Sequence, residues 1–252
     1  MDNLKRLNQK LRARKRIFGY TAYLPSTYTL ADYMPAGVDY ILFDCEHGPY
    51  DEDYYSEYYR HCRALGIPTI TRVADAEYHF VARAADCGSD GVLIPRVETL
   101  EQVEAAVAGL YIPPIGKKGY GGKFQFYPGE TIEEYNANRI LWIQIESPAG
   151  AELLPKIIEK YGSQLSACVI GPCDLSINAG TPLDFYSDAS VSNIRRVFDL
   201  CAANHISSGS YCFDVTDAKK RFGLGMNLVW MGCDAIFLAD GIRRAADAIA
   251  GI

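Results

Sequence analysis

Short apolar runs alternate along this chain with longer stretches whose apolar positions recur at helical spacing. The runs YILF, GVLI and ACVI carry no alternating polar residue, the pattern of strands covered on both faces. Strands are predicted at 17–21, 39–43, 69–73, 91–95, 141–145, 167–171, 207–212 and 227–231. Helical periodicity falls between them, for example at 52–65, 78–87, 100–110, 151–161 and 191–204. Strands separated by helices at this count suit an α/β fold of the (β/α)8 (TIM) barrel type. A doubly wound open sheet competes, because periodicity does not reveal closure. No linker or low-complexity tract divides residues 1–252, so a single domain is expected. Within residues 1–16, Leu4, Leu7 and Leu11 predict a short amphipathic N-terminal helix.

Composition narrows the partners. With 49% hydrophobic and 22% charged residues the chain can build a real core. Its longest apolar runs fall far short of the roughly 20 residues that cross a bilayer, so no membrane partner is expected. A net charge of −6 argues against nucleic acid, whose phosphates demand a basic face. The 8 cysteines form no CxxC pair and read as reduced thiols of a cytoplasmic protein. Residues 113–131 (PPIGKKGYGGKFQFYPGET) break the rhythm; rich in Gly, Pro and aromatics, they suit a lid or wall loop.

In a barrel the C-terminal ends of the strands face one mouth, where chemistry is built. The second predicted strand ends in Asp44-Cys45-Glu46-His47, the third at Arg72, the fifth in Gln144-Ile145-Glu146 and the sixth before Cys173-Asp174. Glu146 and Asp174 are one strand–helix–strand repeat apart, which puts two carboxylates on neighbouring strands at one level. Two carboxylates without a Cys/His cluster suit a hard cation such as Mg2+ or Mn2+, although solvated strand-end acids would read the same way. His47, three residues after Asp44, is a candidate general base or a structural histidine. Arg72 suits a developing oxyanion, or an ion pair with Glu46 or Asp44. No lysine stands at a strand end, and neither GxSxG nor HExxH occurs, which argues against Schiff-base and serine chemistry.

The stretches VDYILFDCEHGPYD, PTITRV, GVLIPRVETLEQVEAAV, IPPIGKKGYGG, IQIESPAGAELL and VIGPCDLSINAG occur in this order. In combination they resemble the HpcH/HpaI family of class II, metal-dependent pyruvate aldolases, in the citrate lyase β superfamily. The resemblance implies a phosphoenolpyruvate/pyruvate-type barrel whose C-terminal helix is swapped between subunits of a homo-oligomer, a hexamer or trimer of dimers. It implies reversible cleavage of a 4-hydroxy-2-oxo acid to pyruvate and an aldehyde. Glu146 and Asp174 would hold Mg2+ or Mn2+, with Co2+ also admissible, and Gln144 would sit beside them. Backbone amides of Cys173 and Asp174 would take the pyruvate carboxylate and Arg72 its keto oxygen. His47 with Asp44 would form an acid/base dyad, and Asp86 would approach from a neighbouring subunit. A CoA-thioester lyase of the citrate lyase β type and a non-catalytic 2-oxo-acid-binding barrel are the alternatives. Three positions depart from the pattern: Cys173 replaces an alanine, Lys118 an arginine, and KFQFYPGE an Ala/Arg-rich segment.

Overall fold

The computed structural model describes residues 1–24, 28–48 and 52–251. Positions 49–51, which belong to the first motif of the resemblance, lie outside them. Eight parallel strands close into a barrel in sequence order. They are β1 (Ile17–Ala22), β2 (Tyr40–Asp44), β3 (Thr69–Arg72), β4 (Gly91–Ile94), β5 (Ile140–Ile145), β6 (Leu165–Ile170), β7 (Ser207–Cys212) and β8 (Leu228–Cys233). The ring is completed by β8 pairing with β1, Ile17 opposite Leu228. Closure removes the open-sheet alternative.

The helices are α1 (Asp2–Arg12), α2 (Glu52–Leu65), α3 (Tyr78–Cys87), α4 (Leu100–Leu110) and α5 (Ile132–Asn138). After them come α6 (Pro148–Tyr161), α7 (Pro172–Asn178), α8 (Asp188–Ala203), α9 (Val215–Phe222) and α10 (Asp234–Ala250). The three shortest, α5, α7 and α9, escape periodicity because two turns carry too few apolar positions to define a face. Their caps are legible instead. Thr131 and Glu134 form a capping box at α5, Pro172 opens α7, and the Asp214 carboxylate accepts from Asp217 N–H at α9.

Two cores result. Inside the barrel, Tyr40, Leu42, Ile70, Leu93 and Trp142 meet the predicted helix α1, whose Leu4, Leu7 and Leu11 seal the end where the strands begin. Each such leucine, fully buried, contributes roughly 1.5–3 kcal/mol. Between strands and helices, a second apolar layer includes Val92, Ile143, Leu154, Ile170 and Phe198. With both faces covered, the strands need no polar alternate. One helix is mostly uncovered: α10 touches the barrel through Asp234 and Phe237, and of its residues only Asp234 is buried, while Ile236, Leu238, Ile242 and Ile249 are exposed.

The 113–131 segment leads from α4 into α5, ahead of β5, so it lies at the face where strands begin. There Arg63 donates to the carbonyls of Phe124 and Phe126 at 2.9 and 3.1 Å. Within one chain it is therefore no lid over the mouth. A loop that follows a helix of a βα unit returns the chain to the opposite end of the barrel.

Candidate active site

The register sets Asp44 of β2 beside Arg72 of β3. The Arg72 guanidinium forks onto the Asp44 carboxylate, its Nε donating to Oδ1 at 2.8 Å and its Nη2 to Oδ2. Such a planar pair is one of the stronger arrangements for buried charge. Arg72 Nη1 also lies 3.0 Å from Glu46 Oε2, and Arg96 Nε lies 3.1 Å from Glu46 Oε1. Burial opposes the Arg72 charge, yet the hydrogen bonds and charge of Asp44 carry its pKa above the ordinary value. Burial also raises the Glu46 carboxyl, against the pull of Arg72, His47 and Arg96.

This network changes the expected dyad. Asp44 Oδ1 accepts from the backbone N–H groups of Glu46 and His47, at 3.1 and 3.2 Å, and otherwise serves Arg72. It does not hold the His47 ring. That ring is two-thirds exposed, with Nε2 3.8 Å from Glu46 Oε2. Asp44 thus orients the histidine backbone while the imidazole stays free at the rim.

Glu146, at the end of β5, is only 4% exposed. Its Oε1 accepts from the backbone N–H of Arg96 at 2.9 Å and its Oε2 from Gln144 Nε2 at 2.7 Å. Burial, then the neighbouring charges of Glu46 and Asp174, push the carboxyl up to about 7 against the Arg96 N–H and Arg72. Across from it, α7 starts at Pro172, so the N–H groups of Cys173 and Asp174 lie in a first turn that has no intrahelical acceptors for them. Asn178 Nδ2 donates to Glu146 O at 2.9 Å and ties this helix to β5. Gly171 lets the two meet: a Cβ there would stand 2.1 Å from Glu146 Oε2.

Asp44, His47, Arg72, Gln144, Glu146, Cys173 and Asp174 line one cavity of about 290 Å³ at the barrel mouth. Seven of the eight residues singled out in the sequence therefore meet. Asp86 does not line it. It sits in the last turn of α3, towards the opposite face, paired with Lys118 Nζ and closely approached by Gly121. Sequence reasoning missed Arg96, although PRVE stands at a strand end like the others. It also missed Tyr211 and Trp230, register partners on β7 and β8 that line the same cavity.

The donor set suits a hard cation. Gln144 Nε2 is engaged by Glu146, which leaves the amide oxygen Oε1 buried without a donor. An orphaned oxygen beside two like-charged carboxylates is an arrangement that a divalent ion stabilises. Among the described residues no group of three or more His, Cys, Asp or Glu side chains is placed to hold a metal, so the protein would supply two carboxylates and leave the remaining positions open.

Residues 21–240 match the family model described as HpcH/HpaI aldolase/citrate lyase. A 2-keto-3-deoxy-L-rhamnonate aldolase of Klebsiella pneumoniae subsp. pneumoniae is 29% identical over 234 residues, covering 87% of this chain and 83% of that protein. The enzyme of the same name from Salmonella dublin is 28% identical, over 82% of this chain and 79% of its own. Among solved structures, the HpcH/HpaI aldolase of Desulfitobacterium hafniense DCB-2 superposes with a TM-score of 0.84 at 23% identity, covering 98% of this chain and 97% of that one.

Proposed function

Because the chain belongs to the HpcH/HpaI aldolase/citrate lyase family, we propose that it cleaves 4-hydroxy-2-oxo acids reversibly to pyruvate and an aldehyde at the mouth just described. The C3–C4 bond breaks, its electron pair stays on C3 as the pyruvate enolate, and the 4-hydroxyl gives up its proton as C4 becomes the aldehyde. C3 then takes a proton.

Glu146 and Asp174 would hold a divalent cation, Mg2+ or Mn2+ with Co2+ also admissible, beside Gln144 Oε1. When bound, such an ion supplies Lewis-acid stabilisation of charge growing on the keto oxygen. The first-turn amides of Cys173 and Asp174 would take the substrate carboxylate, a role that a cysteine fills as well as an alanine. Arg72, held by Asp44 and Glu46, offers positive charge at the keto oxygen without having to reorganise. His47, free at the rim, would take the 4-hydroxyl proton. The carrying observation is Glu146, a buried carboxyl held between two donors with an orphaned amide oxygen alongside. A pyruvate-release assay on 4-hydroxy-2-oxo acids tests it. Turnover should vanish with EDTA and return with Mn2+ or Mg2+, and EDTA-resistant turnover would refute the metal assignment.

The exposed apolar residues of α10 support a homo-oligomer in which this helix packs on another copy, a hexamer or trimer of dimers. In that assembly Asp86 would reach a neighbour's mouth. The buried thiols of Cys45, Cys62, Cys168, Cys201 and Cys212 suit a reducing cytoplasm. Among the described residues no helix is long and apolar enough to cross a membrane.

A further inference from the structure

The mouth is divided. Its carboxylates and Arg72 come from β2, β3, β5 and the start of α7, whereas β7, β8 and the start of α10 supply Tyr211, Trp230 and Ile236. The aromatic side continues outward. Tyr211 meets Trp230 edge-on at 5.2 Å and Phe213 edge-on at 5.3 Å, and Phe213 stacks on Phe185 at 4.7 Å. Trp230 is buried and Phe213 is 45% exposed, so the ladder runs from the floor of the cavity to the surface.

Its polar capacity is small. Trp230 Nε1 donates to Thr21 Oγ1 at 2.7 Å, which engages both groups. Among the described residues lining the cavity the one arginine or lysine is Arg72, which the proposed reaction already uses at the keto oxygen. Among the described residues lining the cavity an acceptor carboxylate would meet no second arginine or lysine. An acceptor bearing several hydroxyls would give up water for aromatic faces.

We propose that the aldehyde partner of pyruvate is uncharged and carries an aromatic or branched apolar group, which lies along the Tyr211–Phe213 wall. This inference rests on the aldolase reading above. In the synthetic direction pyruvate loses a C3 proton, C3 bonds to the aldehyde carbon, and the aldehyde oxygen takes up a proton to become the 4-hydroxyl. Apolar pockets discriminate by about tenfold or more for each well-buried group, which sets the scale expected.

Two measurements on the Mn2+-loaded enzyme separate the claims. Exchange of the pyruvate C3 protons with deuterated water, followed by NMR, reports enolate formation without any acceptor. Addition of pyruvate to phenylacetaldehyde, 3-methylbutanal, glyceraldehyde and succinic semialdehyde then ranks acceptors by kcat/KM. The first two should exceed the last two by about tenfold or more. Tyr211→Ala should compress that ratio, as should Phe213→Ala at an exposed position where folding is not at stake. Exchange with glyceraldehyde or succinic semialdehyde preferred, exchange with no aldehyde consumed, or a ratio unmoved in both variants overturns the proposal and leaves the aldolase reading standing. Absence of exchange overturns both.

Discussion

Replacing Gly171 by alanine isolates the geometry of Glu146. The Gly171 backbone, at φ −90 and ψ 95, is open to any L-residue, so the methyl group meets no backbone strain. It meets the site instead: its carbon would lie 2.1 Å from Glu146 Oε2 and 2.6 Å from Gln144 Nε2. Ordinary contact requires the carboxylate to retreat by roughly 1 Å or more. That movement breaks the 2.7 Å bond from Gln144 and strains the 2.9 Å bond from Arg96 N–H. Hydrogen bonds to charged groups contribute about 1.5–3 kcal/mol each, so the expected loss of stability is about 2–3 kcal/mol. A ligand misplaced by an ångström costs about 100-fold in rate. Urea denaturation, Mn2+ titration by electron paramagnetic resonance and pyruvate release measure the three effects. We expect retained helical circular dichroism, Mn2+ affinity weaker by about tenfold or more, and kcat/KM lower by about 100-fold. Wild-type Mn2+ affinity together with wild-type turnover would show that the position of Glu146 is irrelevant to the chemistry.

Glu146→Gln makes the neutral form permanent. A carboxyl moved from 4.5 to about 7 folds without penalty below pH 4.5 and carries its full penalty above 7, at about 1.4 kcal/mol per pH unit. In EDTA-treated protein the variant should therefore gain about 3 kcal/mol at pH 8 and nothing at pH 4, while losing turnover; equal urea midpoints at pH 8 would contradict this. Arg72→Ala strands Asp44 and Glu46 as buried anions and should lose about 3–5 kcal/mol along with activity. His47→Ala, at an exposed ring, should keep its stability within about 0.5 kcal/mol and lose about 100-fold or more in kcat. Thermal melts and pyruvate release separate the two. Ile242→Asp, on the exposed face of α10, should shift the sedimentation profile towards smaller species, and an unchanged profile would remove α10 from the interface.

The barrel was legible because two-sided burial writes itself as apolar runs, and all eight predicted strands agree with the observed ones to within a residue or two at either end. The polar mouth was legible for a related reason: a charged residue closing such a run has no apolar role to play. What a single sequence does not disclose is which polar groups satisfy one another. Asp44 stands three residues from His47, and that spacing suggested a dyad. Across the sheet, however, Arg72 lies directly opposite Asp44 in register and presents a fork that matches the carboxylate. Strand register, absent from linear spacing, decided the partner. The same blindness hid Tyr211 beside Trp230 and left the 113–131 loop open between lid and wall, because composition says nothing about the end of the barrel on which it falls.

The partnering of Asp44 with Arg72 has a consequence for charge. Around the mouth, among the described residues, Asp44, Glu46, Asp75, Glu146 and Asp174 stand near two permanent cations, Arg72 and Arg96, so carboxylates are in excess. The pairing divides unevenly. Both arginine side chains act on the β2 side, at Asp44 and Glu46, while Glu146 receives only a backbone N–H and an amide. The carboxyls without an arginine hydrogen bond are thereby Glu146 and Asp174, the pair proposed to hold the cation. Had Asp44 turned to His47, Arg72 would be free to lean towards Glu146 and weaken the site for a cation. On this reasoning the Asp44–Arg72 fork serves metal affinity at a distance. Asp44→Asn should then weaken Mn2+ binding as well as lower turnover, although Asp44 touches no metal ligand. Unaltered Mn2+ affinity in that variant would restrict Asp44 to holding Arg72 in place.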